Sequence, residues 1–244
     1  MSTSGEGEAR QEAGSAGVAG GGEWWERELA GLRERFDVAE TTVACAGRSF
    51  TLYHPRNADT LISEADYLKD ERLPYWADIW PSSRVLADHV VRHKGNGRRA
   101  LELGCGSGLV ACALAAAGYK VTATDYYPDA LEFTRVNVGR NTGHRIATRM
   151  VDWRDMPRDL GRFDVVVASD VLYEHTHGEL VAEAVLATVR DDGYALIADP
   201  GRLSLDAFLQ SAEESGMAVT EQWSAPFEEG AQKQVIQLFV VRIR

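Results

Sequence analysis

The densest chemical signal in this sequence is seven consecutive residues, Glu102-Leu103-Gly104-Cys105-Gly106-Ser107-Gly108. Three glycines at alternate positions let the backbone turn sharply and approach a ligand with no Cβ in the way. A short apolar run, Ala100 to Leu103, precedes them, and an alanine-rich helical stretch, Leu109 to Ala117, follows. Exposed amides in the loop and a helix starting there favour a carboxylate or another anionic group. The next β-branched run, Lys120 to Thr124, ends at Asp125. That is the distance, about 20 residues on, at which an acidic side chain can bind both hydroxyls of a ribose. Two further pairs stand after later strand-like runs: Asp152-Trp153, and Asp170 with Tyr173 after Ser169.

The glycine spacing separates two nucleotide chemistries. A dinucleotide site needs Gly-x-Gly-x-x-Gly; here the spacing is Gly104-x-Gly106-x-Gly108, and Leu109 sits where the third glycine would be. A nicotinamide-dependent reductase is therefore disfavoured. Ser107 lacks the Gly-x-Ser-x-Gly surroundings of a hydrolase nucleophile. His175 and His177 stand two apart with no completing cluster, so they are expected at a pocket rim and no metal is expected. His89 and His93, one helical turn apart, are expected to face solvent or to pack on the N-terminal tail. Cys45, Cys105 and Cys112 match neither a disulfide framework nor a zinc pattern and are expected to be buried thiols.

The elements that must position these residues alternate. Strand-like runs at Ala100–Leu103, Lys120–Thr124, Arg145–Val151, Phe163–Ser169 and Tyr194–Ala198 are separated by helices at Leu109–Ala117, 128–140 (Pro128 opening it), Glu179–Val189 and 204–215. Two last strands, Met217–Trp223 and Val235–Val241, have no helix between them, so the last should enter antiparallel, after an acidic turn at Glu228-Glu229-Gly230-Ala231. The expected fold is α/β: a Rossmann-like, doubly wound, seven-stranded sheet, mostly parallel with an antiparallel last strand. Ahead of it, Glu23 to Phe36 reads as a helix, with Trp25, Leu29, Leu32 and Phe36 at three- and four-residue steps. Val38–Cys45 and Ser49–His54 read as a β-hairpin around Ala46-Gly47. After Pro81, Ser82 is the expected N-cap of a helix running to His93.

Residues Met1 to Gly22 are Gly, Ser, Ala and Glu with almost no large apolar side chain, a composition expected to stay disordered. The expected organisation is a tail over residues 1–22, a helix and hairpin extension over 23–72, and one α/β domain over 73–244. Net charge is −11, which argues against a partner bound through its nucleic-acid backbone. No apolar run is long enough to span a bilayer and no leader pattern is visible, so the expectation is a cytoplasmic protein with no membrane partner.

The acidic residue followed by Gly-x-Gly-x-Gly resembles the first motif of class I methyltransferases. The resemblance extends over about Leu73 to Asp199. It implies S-adenosyl-L-methionine as cofactor, with Gly104, Gly106 and Gly108 against its methionine part. Glu102 would orient the loop or reach the ammonium group through water. Asp125 would take the ribose, and Asp152 and Trp153 would bracket the adenine, from the exocyclic amine and the ring face respectively. Ser169 closes the strand before the substrate-side motif. Asp170-x-x-Tyr173, with Trp80 in Asp78-Ile79-Trp80-Pro81 and with Tyr75-Trp76, resembles the Asp-x-x-Tyr protein lysine methyltransferases, nearest the branch of electron-transfer-flavoprotein β-subunit lysine methyltransferases and their bacterial relatives. That implies a protein substrate methylated on lysine, Asp170 orienting the amine, Tyr173 shaping its pocket or hydrogen-bonding the amine, Trp80 near the methionine end, and a substrate-facing N-terminal extension. A small-molecule N- or O-methyl acceptor and a non-catalytic cofactor-binding module are the alternatives. Asp199-Pro200-Gly201-Arg202 has no assigned role beyond a turn or a pocket wall.

Overall fold

A computed structural model describes residues 23–62 and 73–244; the expected tail, residues 1–22, lies outside the described residues. The chain opens with α1 (Glu23–Arg35) and an antiparallel hairpin, β1 (Val38–Cys45) and β2 (Arg48–Pro55). Then come α2 (Pro81–Val91), β3 (Arg99–Leu103), α3 (Leu109–Ala116), β4 (Lys120–Asp125), α4 (Pro128–Thr142), β5 (Ala147–Met150) and β6 (Phe163–Ser169). The remainder is α5 (His177–Thr188), β7 (Val189–Asp199), α6 (Leu205–Glu214), β8 (Met217–Glu229) and β9 (Gln232–Ile243).

Seven strands form one sheet in the order β5-β4-β3-β6-β7-β9-β8. Strands β3 to β7 pair in parallel, and β9 lies antiparallel between β7 and β8. The strand alternation sorts side chains to two faces. Ala100, Val121, Ala123, Val165 and Val167 meet α2, α3 and α4 on one side. Leu101, Leu103, Val166, Ala168 and Ile197 meet α5 and α6 on the other. Burying each such large side chain contributes about 1.5–3 kcal/mol. After β3 the chain moves outward to β4 and β5, then crosses back to β6. Strand order therefore reverses beside β3, and the carboxyl ends of β3 and β6 open the crevice where α/β sheets hold ligands.

The helix and hairpin dock on the outer face of α4. Asn137 and Asn141, one turn apart, reach the backbone of β2. Asn137 Oδ1 accepts from Tyr53 N–H at 2.7 Å, and its Nδ2 donates to Tyr53 C=O at 2.8 Å. Asn141 makes the same pair of bonds to Thr51, at 2.9 and 2.8 Å. Two amide side chains thus do for this strand edge what another strand would do. Leu29, Leu32, Tyr53, Trp76 and Phe133 close the apolar seam between extension and domain.

Several boundaries differ from the sequence reading. Ser82 is not a cap: Pro81 takes the first helical position of α2, Trp80 caps it without a side-chain bond, and Ser82 is buried in the first turn. Strand β7 begins at Val189, five residues before the expected Tyr194. Arg190 to Gly193 bulge out between Val189, opposite Phe163, and Tyr194, opposite Val165, so their polarity hides the strand. The last hairpin pairs as far as Glu229 with Gln232, leaving only Gly230 and Ala231 to turn. Its outer half reaches past Asp199, the last residue of β7 that it pairs, and is pinned to α2 by Arg84 and Glu229 at 2.8 Å. His89 and His93 stack on each other, and His89 packs on Trp223 of β8; the expected packing on the tail lies outside the described residues. The three cysteines are free and buried.

Candidate functional site

Strand β3 ends in a loop whose glycines all adopt left-handed backbone, with φ of 68° at Gly104, 52° at Gly106 and 84° at Gly108. The positions are also filled from outside. A Cβ on Gly108 would lie 2.7 Å from Thr134 Oγ1, and one on Gly106 would lie 3.1 Å from the Trp76 carbonyl. Helix α4 holds this loop from behind. Thr134 Oγ1 donates to Gly106 C=O at 2.9 Å, and Asn137 Nδ2 donates to Ser107 C=O at 2.8 Å. Thr134, Asn137 and Asn141 therefore form a polar stripe at helical spacing that ties the glycine loop to the hairpin.

Three of the loop's amides are engaged by the loop itself and by β4. Cys105 N–H donates to Thr124 C=O at 2.9 Å, Gly106 N–H to Asp125 Oδ2 at 2.9 Å, and Gly108 N–H to Cys105 C=O at 2.8 Å. The expectation that these exposed N–H groups would receive an anion does not survive for these three positions. Asp125, at the end of β4, also accepts from Tyr127 N–H at 3.0 Å through Oδ1. Its carboxylate is fixed against the loop at the cavity wall.

Glu102 lies beneath the loop, 2% exposed, and does not line the cavity. Burial and the nearby Asp125 carboxylate push its pKa well above the usual range, opposed by a hydrogen bond from Ala111 N–H. Its Oε2 has no partner among the described residues. A folded-state pKa above the unfolded one favours folding only while the group stays protonated. That contribution is complete below the unfolded pKa and is lost as pH rises through the folded one. Glu102→Gln should therefore raise the melting temperature relative to the parent chain at pH 8, with the difference shrinking toward pH 5. A constant difference across that range would show that Glu102 is ionised throughout.

A cavity of about 510 Å³ opens over the ends of β3, β4 and β6. This is the size that holds a cofactor-like molecule. Of the residues singled out by sequence, Gly104, Gly106, Asp125, Asp152, Trp153, Ser169, Asp170, Tyr173 and Trp80 line it; Glu102 and Gly108 stand behind it. Trp153 sits in a short 3₁₀ turn, its ring edge-on to His177 at 5.2 Å. Asp152 is engaged in a fork by its neighbour Arg154, at 2.9 Å to Nε and 2.6 Å to the terminal nitrogen. Tyr173, Tyr75 and Trp80 follow one another edge-to-face along the other wall, at 5.0 and 5.9 Å.

Asp170 has left-handed backbone, φ 59°, in a non-glycine residue. Its side chain is 2% exposed, and Oδ1 accepts from Arg202 Nε at 2.6 Å. Oδ2 is buried without a partner among the described residues. The carboxylate is not presented to the cavity as a bare anion. Asp199 builds the turn that delivers Arg202: its Oδ1 accepts from Gly201 N–H at 2.7 Å and Arg202 N–H at 2.6 Å. The Asp199-Pro200-Gly201-Arg202 segment is thus both a turn and a cavity wall.

Sequence reasoning missed Tyr126, Tyr127 and Asn137, and gave Arg202 no role beyond that of its turn or pocket wall. His177 is not a rim residue: it is 3% exposed at the start of α5, with Nδ1 2.7 Å from the Val171 carbonyl. Among the described residues no cluster able to hold a metal ion is found. None of residues 23–62 lines the cavity; residues 63–72 of the expected extension lie outside the described residues. No described helix is long and apolar enough to cross a membrane.

Residues 70–214 match the sequence profile of a family described as lysine methyltransferase. Among curated proteins, the chain is 32% identical over 114 residues to the mouse (Mus musculus) protein-lysine methyltransferase METTL21E, covering 41% of this chain and 46% of that one. It is 31% identical over 134 residues to the electron transfer flavoprotein beta subunit lysine methyltransferase of Xenopus laevis, covering 53% of each. The chain thus spans about half the length of these relatives. Among solved structures, a TehB-like SAM-dependent methyltransferase from Corynebacterium glutamicum superposes with a TM-score of 0.53 at 18% identity, over 77% of this chain and 98% of that one, a likeness of fold.

Proposed function

The chain belongs to the lysine methyltransferase family, and from that premise we propose that it transfers a methyl group from S-adenosyl-L-methionine to a protein amine, that of a lysine side chain. The observation that carries the reading is the shared cleft. The glycine loop leaving β3 and the carboxylate ending β4 meet there, joined by the Gly106 to Asp125 hydrogen bond of 2.9 Å. The left-handed glycines let the loop turn tightly against Thr134 and Trp76 at the cleft, and the cavity is large enough for a nucleoside with an amino-acid tail. Residues 73–244 would form the catalytic unit, with the helix and hairpin as its buttress.

In this reading Asp125 holds the ribose hydroxyls, and Trp153 with Val151 packs the adenine. Asp152 reaches the exocyclic amine with Arg154 steadying it. Gly104 and Gly106 admit the methionine part, and Glu102 sets the loop from below. When bound, the cofactor supplies a methyl group on a sulfonium sulfur. What the chain contributes is alignment. The amine lone pair must meet the methyl carbon opposite the carbon–sulfur bond, whose electron pair leaves with sulfur. Such positioning is worth about 7–11 kcal/mol. The amine must first lose a proton, which costs about 4.6 kcal/mol at pH 7 for an ordinary lysine pKa of about 10.4. Tyr75, Trp80 and Tyr173 strip water from the approaching ammonium and so lower that pKa. Because Asp170 is already paired with Arg202, it does not oppose that proton loss as a bare carboxylate would. Asp170 is then a positioning residue, and Tyr173 shapes the amine channel.

Incubation of the purified chain with cell extract and a radiolabelled methyl donor tests this. Label should enter protein bands and survive on lysine after hydrolysis. Label found in the small-molecule fraction alone would replace a protein acceptor by a small one. No transferred label, with the cofactor still bound, would favour a binding module.

A further inference from the structure

We infer that Arg202 is the counter-ion for the carboxylate at the amino-acid end of the cofactor, held in position by Asp170 and Asp199. The inference rests on the cofactor reading above. A sulfonium nucleoside with a methionine tail brings one carboxylate into the cleft, and that charge needs a donor. The glycine loop is a weaker source, because the amides of Cys105, Gly106 and Gly108 are spent inside the turn and those of Gly104 and Ser107 bring no formal charge. Among the described residues lining the cavity, Arg202 is the sole lysine or arginine. The other charged groups there include Asp78, Asp125 and Asp152, whose carboxylates do not attract another.

The guanidinium is fixed in place. Nε donates to Asp170 at 2.6 Å, and the group lies over the Trp80 ring with 5.2 Å from Cζ to the centroid. Its backbone is clamped by Asp199. No acceptor among the described residues engages the two terminal nitrogens, and the side chain is one-third exposed at the cavity wall. Those nitrogens form the edge that binds a carboxylate through two parallel bonds. The location agrees. Trp76 presses its carbonyl toward Gly106, and Trp80, four residues on, carries Arg202, so this segment leads from the glycine loop to the guanidinium. The burial and left-handed backbone of Asp170 then have a reason: the residue orients Arg202 by one nitrogen and leaves the others for the ligand.

Calorimetry with two ligands tests the assignment without any turnover. S-adenosylhomocysteine carries the carboxylate; 5′-methylthioadenosine has the same nucleoside and thioether without the amino-acid end. Arg202→Met should weaken S-adenosylhomocysteine by at least about 10-fold and leave methylthioadenosine within about twofold. Arg202→Lys, which keeps the charge but not the fork, should fall between. Asp170→Asn should show the same ligand-selective loss, smaller in size. Equal losses for both ligands, or none for S-adenosylhomocysteine, overturn the role of Arg202 alone. A parent chain that binds neither ligand overturns both this assignment and the cofactor reading beneath it.

Discussion

Asp125→Ala should weaken S-adenosylhomocysteine binding by at least about 100-fold. Two hydrogen bonds donated by ribose hydroxyls to a carboxylate are worth about 1.5–3 kcal/mol each, and about 1.4 kcal/mol is tenfold in affinity. The same side chain accepts from Gly106 and Tyr127 N–H, at 2.9 and 3.0 Å. Its removal therefore leaves two backbone donors without an acceptor and loosens the loop as well. Asp125→Asn separates the effects. It keeps one acceptor oxygen and the side-chain volume, so stability should recover more than affinity does. Calorimetry gives the affinity and thermal unfolding the stability. An Ala variant that binds with parental affinity would sink the assignment of the ribose to Asp125.

The second large effect falls outside the cavity. Asn137→Leu should destabilise the fold by about 3 kcal/mol or more. Asn137 is fully buried, and its amide satisfies Tyr53 N–H, Tyr53 C=O and Ser107 C=O. Stranding buried polar groups costs about 1–3 kcal/mol apiece, offset in part by the apolar replacement. Because one of the three belongs to the glycine loop, the variant should also bind S-adenosylhomocysteine more weakly at temperatures where it remains folded. Urea unfolding followed by tryptophan fluorescence reads the stability. A loss below about 1 kcal/mol would mean that water or a neighbour replaces the amide.

What sequence can reveal here follows the reach of each interaction. The glycine loop and Asp125 are legible because backbone conformation dictates residue type locally: Gly104, Gly106 and Gly108 all need positive φ. The succession of strands and helices follows from period and length. The missing helix before the last strand signals that it enters antiparallel. Arg202 and Asn137 are not legible in the same way, because each acts on residues far along the chain: Arg202 on Asp170, Asn137 on Ser107 and Tyr53. One trace is present. Thr134, Asn137 and Asn141 place polar groups at helical spacing on a helix face that packs inward, where a solvent-facing stripe would not be buried. The start of β7 is hidden for another reason: Arg190 to Gly193 leave the ladder, so their polarity reports a bulge rather than a loop. Ser82 misleads because Pro81 suits the first helical position better than a serine suits the cap.

The place of β9 has a consequence for how the molecule comes together. Strand β8 touches the rest of the sheet only by way of β9, since it does not pair with β7. On a nascent chain made from its N-terminus, β7 offers a bare, apolar border until residues 232–243 have emerged. During that interval the border can capture another chain. The two final strands share long mutual pairing and a two-residue turn, so they can zip together first and arrive as one preassembled piece that seals the border in a single event.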